Sequence, residues 1–223
     1  MNQTQTQLTT NTWVTATWDE YIQTIQDPTY EKAKSYYHKG KLRIEMSPLG
    51  NDHANDHAVI IGAVSIFAAT RNINLNLKDN CTYQDNCTYR KTGFREAQPD
   101  VSCYIGENAN VIPRGTSIIN LDIYPPPNLV IEVANTSISD DKGEKRLLYE
   151  AMNVSEYWIV DVQNLEIIAF AVRDGGSRKI DRSQVFSGLA ISFLEEALQR
   201  SCQTNQGQVY PWLLKKFQEI NSQ

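Results

Sequence analysis

The run Leu129-Val-Ile-Glu-Val-Ala134 constrains this chain more than any other stretch. Its almost unbroken β-branched and aliphatic content is the pattern of a strand covered on both faces, so layers of structure must lie above and below it. Glu132 stands in its middle. A carboxylate there has to leave water, which costs several kcal/mol unless positive charge meets it. A cation is the simplest compensation.

The residues that follow point to where that charge comes from. Asp141 with Glu144 three positions on has the form of a capping box, which predicts a helix from near Asp141 to about Met152. At about 100° per residue, Lys145, Leu148, Tyr149 and Met152 share one face, and Arg146 and Glu150 turn away from it. Lys145 is thus on the apolar side. It can extend its ammonium back towards Glu132, or cover apolar surface with its stem.

With 223 residues, 41% hydrophobic and 21% charged, the chain is long enough for one well-buried core and is expected to form one domain. A formal charge of −5 argues against non-specific coating of nucleic acid, which needs clustered Lys and Arg; Arg90, Lys91 and Arg95 are the densest basic group. Cysteines 81, 87, 103 and 202 show neither CxxC spacing nor the density of a disulfide framework, so the expected compartment is cytoplasmic. The longest apolar run, Val59–Ala69, is broken by Gly62 and Ser65 and falls short of the ~20 residues of a membrane span. Residues 1–15 read as a disordered polar tail without the features of a signal peptide. The main domain is expected over 16–201, with a C-terminal helical extension over 202–223.

Along the chain, Thr17 caps a short helix over Trp18–Gln26, and Lys34–His38 with Lys41–Met46 form a hairpin about Lys39-Gly40. Lys41, Arg43 and Glu45 share one strand face, which alone reads as solvated. Ser47-Pro48 ends that strand, and Asn51 or Asp52 caps a helix to about Arg71 whose buried stripe includes His53, His57, Ile60, Ile61, Val64, Phe67 and Ala68. The i, i+4 histidines have a zinc-ligand spacing, but Ala54 stands where HExxH needs its glutamate, so hydrogen-bonded structural roles are expected. A hexapeptide, Asp79-Asn-Cys-Thr-Tyr-Gln84, recurs at once as Asp85-Asn-Cys-Thr-Tyr-Arg90 and reads as a local duplication near a strand end.

Gln98-Pro99-Asp100 leads into a strand ending at Ile105, with Asp100, Ser102 and Tyr104 on one side. The long connection from Gly106 to Pro127 has room for a short strand or helix near Thr116–Asp122. Glu156–Asp161 and Leu165–Val172 predict a second hairpin, Arg173–Arg178 a glycine turn and Val185–Phe186 a short edge strand. Helices are expected over Ile191–Ser201 and Gln208–Gln218.

A carboxylate at a strand entry, a second at mid-strand and a nearby lysine are the parts of metal-dependent phosphodiester hydrolysis. Asp100, Glu132 and the Val133 carbonyl offer the hard oxygens that Mg²⁺ prefers, with Mn²⁺ as a substitute. A lysine ammonium orients water or meets developing negative charge.

The segments QPDVSCYI, PPNLVIEVANTS, DKGEKRLLYE and NVSEYWIVD resemble the bacterial Uma-type family of putative restriction endonucleases, in the PD-(D/E)XK nuclease superfamily, over about residues 17–200. The resemblance implies a mixed β-sheet flanked by helices with a restriction-endonuclease-like core, and Asp100 and Glu132 as the acidic pair. Ala134 stands where the superfamily lysine usually follows the glutamate, and Lys145 is the matching residue on the next helix. Glu45 becomes an additional acidic group, and His53 and Gln98 become helpers. The resemblance further implies DNA as substrate and a homodimer, with no organic cofactor and no membrane association.

Two functions remain in competition. One is a Mg²⁺-dependent DNA endonuclease using Asp100, Glu132, Lys145 and Glu45; the other is a non-catalytic dimeric binding or accessory module that retains the nuclease fold. Net acidity favours the second, and an intact Asp/Glu/Lys set favours the first. A serine nucleophile within Asn135–Ser139 lacks the GxSxG elbow.

Overall fold

A computed structural model describes residues 9–46, 50–85 and 95–220, apart from the side chains of Gln84 and Asp85. In chain order the elements are β1 (Val14–Thr15), α1 (Trp18–Ile25), β2 (Lys34–His38), β3 (Lys41–Glu45), α2 (Asn51–Thr70), β4 (Leu75–Asp79), β5 (Thr82–Asp85), β6 (Arg95–Ala97), β7 (Val101–Ile105) and β8 (Ile118–Asn120). They continue with β9 (Leu129–Ala134), α3 (Ile138–Asp140), a wide π turn over Asp141–Lys145, α4 (Arg146–Ala151), β10 (Glu156–Asp161), β11 (Glu166–Arg173), β12 (Gly176–Ile180), α5 (Ile191–Ser201) and α6 (Gln206–Ile220).

The strands form two mixed six-stranded sheets, ordered β12-β11-β10-β9-β7-β4 and β1-β3-β2-β6-β5-β8. In the first, β9 runs parallel to β10 with Glu132 opposite Ile159, and antiparallel to β7 with Ile131 opposite Val101. Ile131, Val133, Trp158 and Val160 pack beneath α2, α5 and α6. On the other face Val130, Ala134, Tyr157 and Ile159 meet Leu148, Tyr149 and Met152. All of β9 is therefore buried, and this is why its sequence does not alternate.

Several expectations change at the level of local chemistry. Asp141 does not cap a helix: helical structure already begins at Ile138, and the Asp141 carboxylate accepts from the Ser137 hydroxyl at 2.6 Å. Gly50 takes the cap position of α2 without a side-chain hydrogen bond, in place of Asn51 or Asp52. Residues 11–15, read as tail, are built into the fold. The Asn11 amide N–H donates to the Ile44 carbonyl at 2.7 Å, and Val14–Thr15 pair with β3.

The solvated strand face is also corrected, because Arg43 and Glu45 are both buried. Asp174 and Gly175, with φ of 54° and 77°, turn the chain directly into β12, an edge strand polar enough to resemble loop. Val185 and Phe186 form no strand: the Glu156 carboxylate accepts from the Val185 amide at 3.0 Å and holds the segment as a turn, with Phe186 in the core. Helix α6 buries Val209, Leu213 and Phe217 in that same core, so the segment read as an extension is packed into it. Ser47, Pro48, Cys87, Arg90, Lys91 and most of the second hexapeptide lie outside the described residues.

Gly62 is fixed by close approach. A Cβ there would lie 2.5 Å from the Tyr210 ring of α6, whose hydroxyl donates to the Ala58 carbonyl at 2.9 Å. Gly62→Ala is expected to destabilise the protein by about 1–3 kcal/mol in urea unfolding, because overpacking outweighs the helix-propensity gain of about 1 kcal/mol. A more stable variant would mean that Tyr210 moves aside freely.

Candidate active site

Pro99 and Asp100 carry the chain from β6 in one sheet to β7 in the other, so Asp100 lies at the seam between the sheets. Its Oδ2 accepts from the Val133 amide at 2.7 Å, and its Oδ1 pairs with the Lys34 ammonium. Burial opposes ionisation of Asp100, but Lys34 and the Val133 N–H hold its carboxyl below the ordinary range.

Glu132 projects from mid-β9 onto the same seam and is 2% exposed. Its Oε1 accepts from the Tyr149 hydroxyl at 2.6 Å and the Tyr36 hydroxyl at 3.3 Å. Burial pushes its carboxyl up to about 8, against the opposing pull of Lys145. Lys145 offsets the burial only in part because its charge is shared: Nζ lies 2.8 Å from Glu45, 3.0 Å from Asp141 and 3.8 Å from Glu132. Burial disfavours the ammonium, yet those three carboxylates raise it well above its ordinary value, so Lys145 stays charged.

The helix is kinked here: Gly143 adopts φ −100° and ψ −108°, outside helical values, and Asp141 and Lys145, an i, i+4 pair, both point inward. Glu45 is buried, and Lys145 and Arg43 pull its carboxyl below the ordinary range; Arg43 Nε donates to it at 2.7 Å and Arg43 also pairs with Asp140 at 3.1 Å. A cavity of about 240 Å³ opens on Asp100, Glu132, Val133, Glu45, Lys145 and Lys34.

Most of the residues expected from the sequence therefore share one pocket. His53 also lines it, half-buried beside Asp100 and the Val133 backbone, and burial lowers its pKa. His57 instead faces Asp79 at 3.5 Å. Gln98 does not line the pocket: its side chain accepts from the Ser35 amide at 3.0 Å and donates to Thr82 at 2.9 Å, although its carbonyl accepts from Tyr36. Sequence reasoning missed Lys34, Tyr36, Arg43 and Asp141. The two-residue period of β2 puts Lys34 and Tyr36 on one face, and a glycine inside a helical pattern marks the turn that holds Asp141.

The family model described as Uma2, putative restriction endonuclease, matches residues 18–205. The chain belongs to the Uma2 family. The Uma2 fold has a solved likeness, the crystal structure of a putative nuclease belonging to DUF820 from Anabaena variabilis ATCC 29413. The two superpose with a TM-score of 0.53 at 17% identity, covering 74% of this chain and 90% of that one. No curated protein matches this sequence.

Among the described residues, no three His, Cys, Asp or Glu side chains form a ready metal cluster. Asp100 and Glu132 nevertheless lie buried on the pocket wall beside Val133, and their carboxylates are hard oxygen donors of the kind a divalent cation takes.

Proposed function

We propose that this Uma2 protein is a metal-dependent endonuclease that hydrolyses phosphodiester bonds in DNA. The observation that supports it best is the meeting of Asp100, Glu132 and Val133 on one pocket at the seam of the two sheets. Asp100, Glu132 and the Val133 carbonyl would hold Mg²⁺ or Mn²⁺, which supplies charge neutralisation of the phosphate and a more acidic water. Lys145 keeps Glu45, Asp141 and Glu132 assembled and presents positive charge at the pocket. Tyr149 and Tyr36 fix the Glu132 carboxylate by hydrogen bonds. The reading includes a cytoplasmic homodimer; no helix among the described residues is long and apolar enough to cross a membrane.

Calorimetric titration of Mg²⁺ and Mn²⁺ into the parent and the Asp100→Asn/Glu132→Gln variant tests the site without nucleic acid. Binding is expected in the parent and not in the variant. Equal behaviour of the two would remove the site. The second reading, a non-catalytic accessory module, draws on the net charge of −5, which repels a polyanion. Metal binding by the parent without cleavage of any DNA supplied would favour that reading.

A further inference from the structure

Among the described residues two ammonium groups reach the acidic pocket, and their settings differ. Lys145 is 1% exposed, lies within 3.0 Å of both Glu45 and Asp141, and sits 4.3 Å over the Tyr36 ring. An ammonium has three donors, and removing this one would strand buried carboxylates without a counter-charge. Lys145 is therefore anchored in place.

Lys34 is held differently. It is the first residue of β2, its side chain is 20% exposed, and among the described residues its ion pair is with Asp100 Oδ1 alone. The other Asp100 oxygen accepts from the Val133 amide at 2.7 Å. A divalent cation held by Asp100 would share this buried carboxylate with the Lys34 ammonium, and two positive charges so close repel strongly. The four-carbon stem lets the ammonium swing away without disturbing β2.

We infer that Lys34 is the phosphate-contacting lysine of this pocket, occupying Asp100 Oδ1 in the metal-free protein and passing to a DNA phosphate when a divalent cation binds that carboxylate. The inference rests on the nuclease reading above. Its acceptor is a phosphodiester oxygen, which a lysine meets as a compact point charge. Cation and DNA then bind cooperatively, because the phosphate gives the displaced ammonium a new partner, and the coupling is reciprocal.

The test begins with Mn²⁺ alone, titrated into the full chain, Lys34→Gln and Lys34→Arg. The glutamine keeps a donor for Asp100 but carries no charge, so the variant is expected to fold and to bind Mn²⁺ about tenfold more tightly, within the usual range for coupled sites. Lys34→Arg should behave as the parent. A second measurement follows a short DNA duplex by fluorescence anisotropy in Ca²⁺ over a series of salt concentrations. There Lys34→Gln should flatten the slope of log affinity against log salt by about one, and Lys34→Arg should restore it. A purely structural ion pair would leave that slope unchanged.

Mn²⁺ affinity that is unchanged or weaker in Lys34→Gln, or an unchanged salt slope, overturns the role of Lys34 and leaves the metal site standing. Absence of Mn²⁺ binding in the parent overturns the nuclease reading and this inference together.

Discussion

Glu132→Gln is expected to abolish divalent-metal binding, weakening it by at least about a hundredfold, while leaving the metal-free protein as stable as the parent or more so. The substitution keeps an acceptor oxygen for Tyr149 and Tyr36 and removes the charge that burial disfavours. In the parent the folded-state pKa, about 8, lies above the ordinary carboxyl value of 4.5. Glu132 therefore contributes its full stability below that ordinary value and loses it progressively as pH rises towards 8. The variant has no proton to lose. Its advantage should be near zero at pH 4 to 5 and grow to about 2 kcal/mol at pH 8. Urea unfolding of both proteins across this range, with a chelator present, measures the difference. A variant less stable than the parent at pH 8 would show that Glu132 is needed as a structural anion for Lys145.

Lys145→Met is expected to have the opposite effect on the fold. The methionine fills comparable space, but Glu45, Asp141 and Glu132 lose the ammonium they share, and all three are buried. Removing one partner from a buried charge cluster costs about 3–5 kcal/mol, which for a protein of this size lowers the melting temperature by roughly 10 °C. The loss should shrink in acid as the carboxylates take up protons. It should also be partly reversed by Mn²⁺, which returns positive charge to the same pocket. Thermal unfolding followed by circular dichroism, with and without Mn²⁺, reads both effects. A fall of only one or two degrees would mean that Arg43 and the tyrosine hydroxyls suffice to hold the carboxylates.

These two results separate roles that a motif assigns together. On these outcomes Glu132 would be a carboxylate retained against its own folding energetics, and Lys145 a charge on which the local fold depends. Lost activity after its removal would not by itself make it a residue that touches substrate.

Much of the architecture was legible because it follows from local chemistry. The uniform apolar content of Leu129–Ala134 required a strand covered on both faces, and the structure places β9 between two cores. Thr17 caps α1, as its sequence indicated, and the structure adds a complete capping box with Glu20. The helical face that joined Lys145 to Leu148, Tyr149 and Met152 is the buried face, because the 3.6-residue period survives beyond the π turn.

The site was legible in its types of residue but not in its connections. Sequence alone determined that a carboxylate stands in the middle of a buried strand at 132 and that Lys145 takes the apolar face of the following helix. It placed Asp100 at the entry to another strand. Only the tertiary structure decided that Arg43 and Glu45 are interior, because the second sheet folds its hairpin over the seam and excludes water from a strand face that alternates like a solvated one. Only the tertiary structure brought Lys34 to Asp100, 66 residues away in the chain, and gave Lys145 three carboxylates instead of one. Periodicity fixes which face a side chain takes, but an ion pair depends on what lies opposite that face, and this is set by how the two sheets meet.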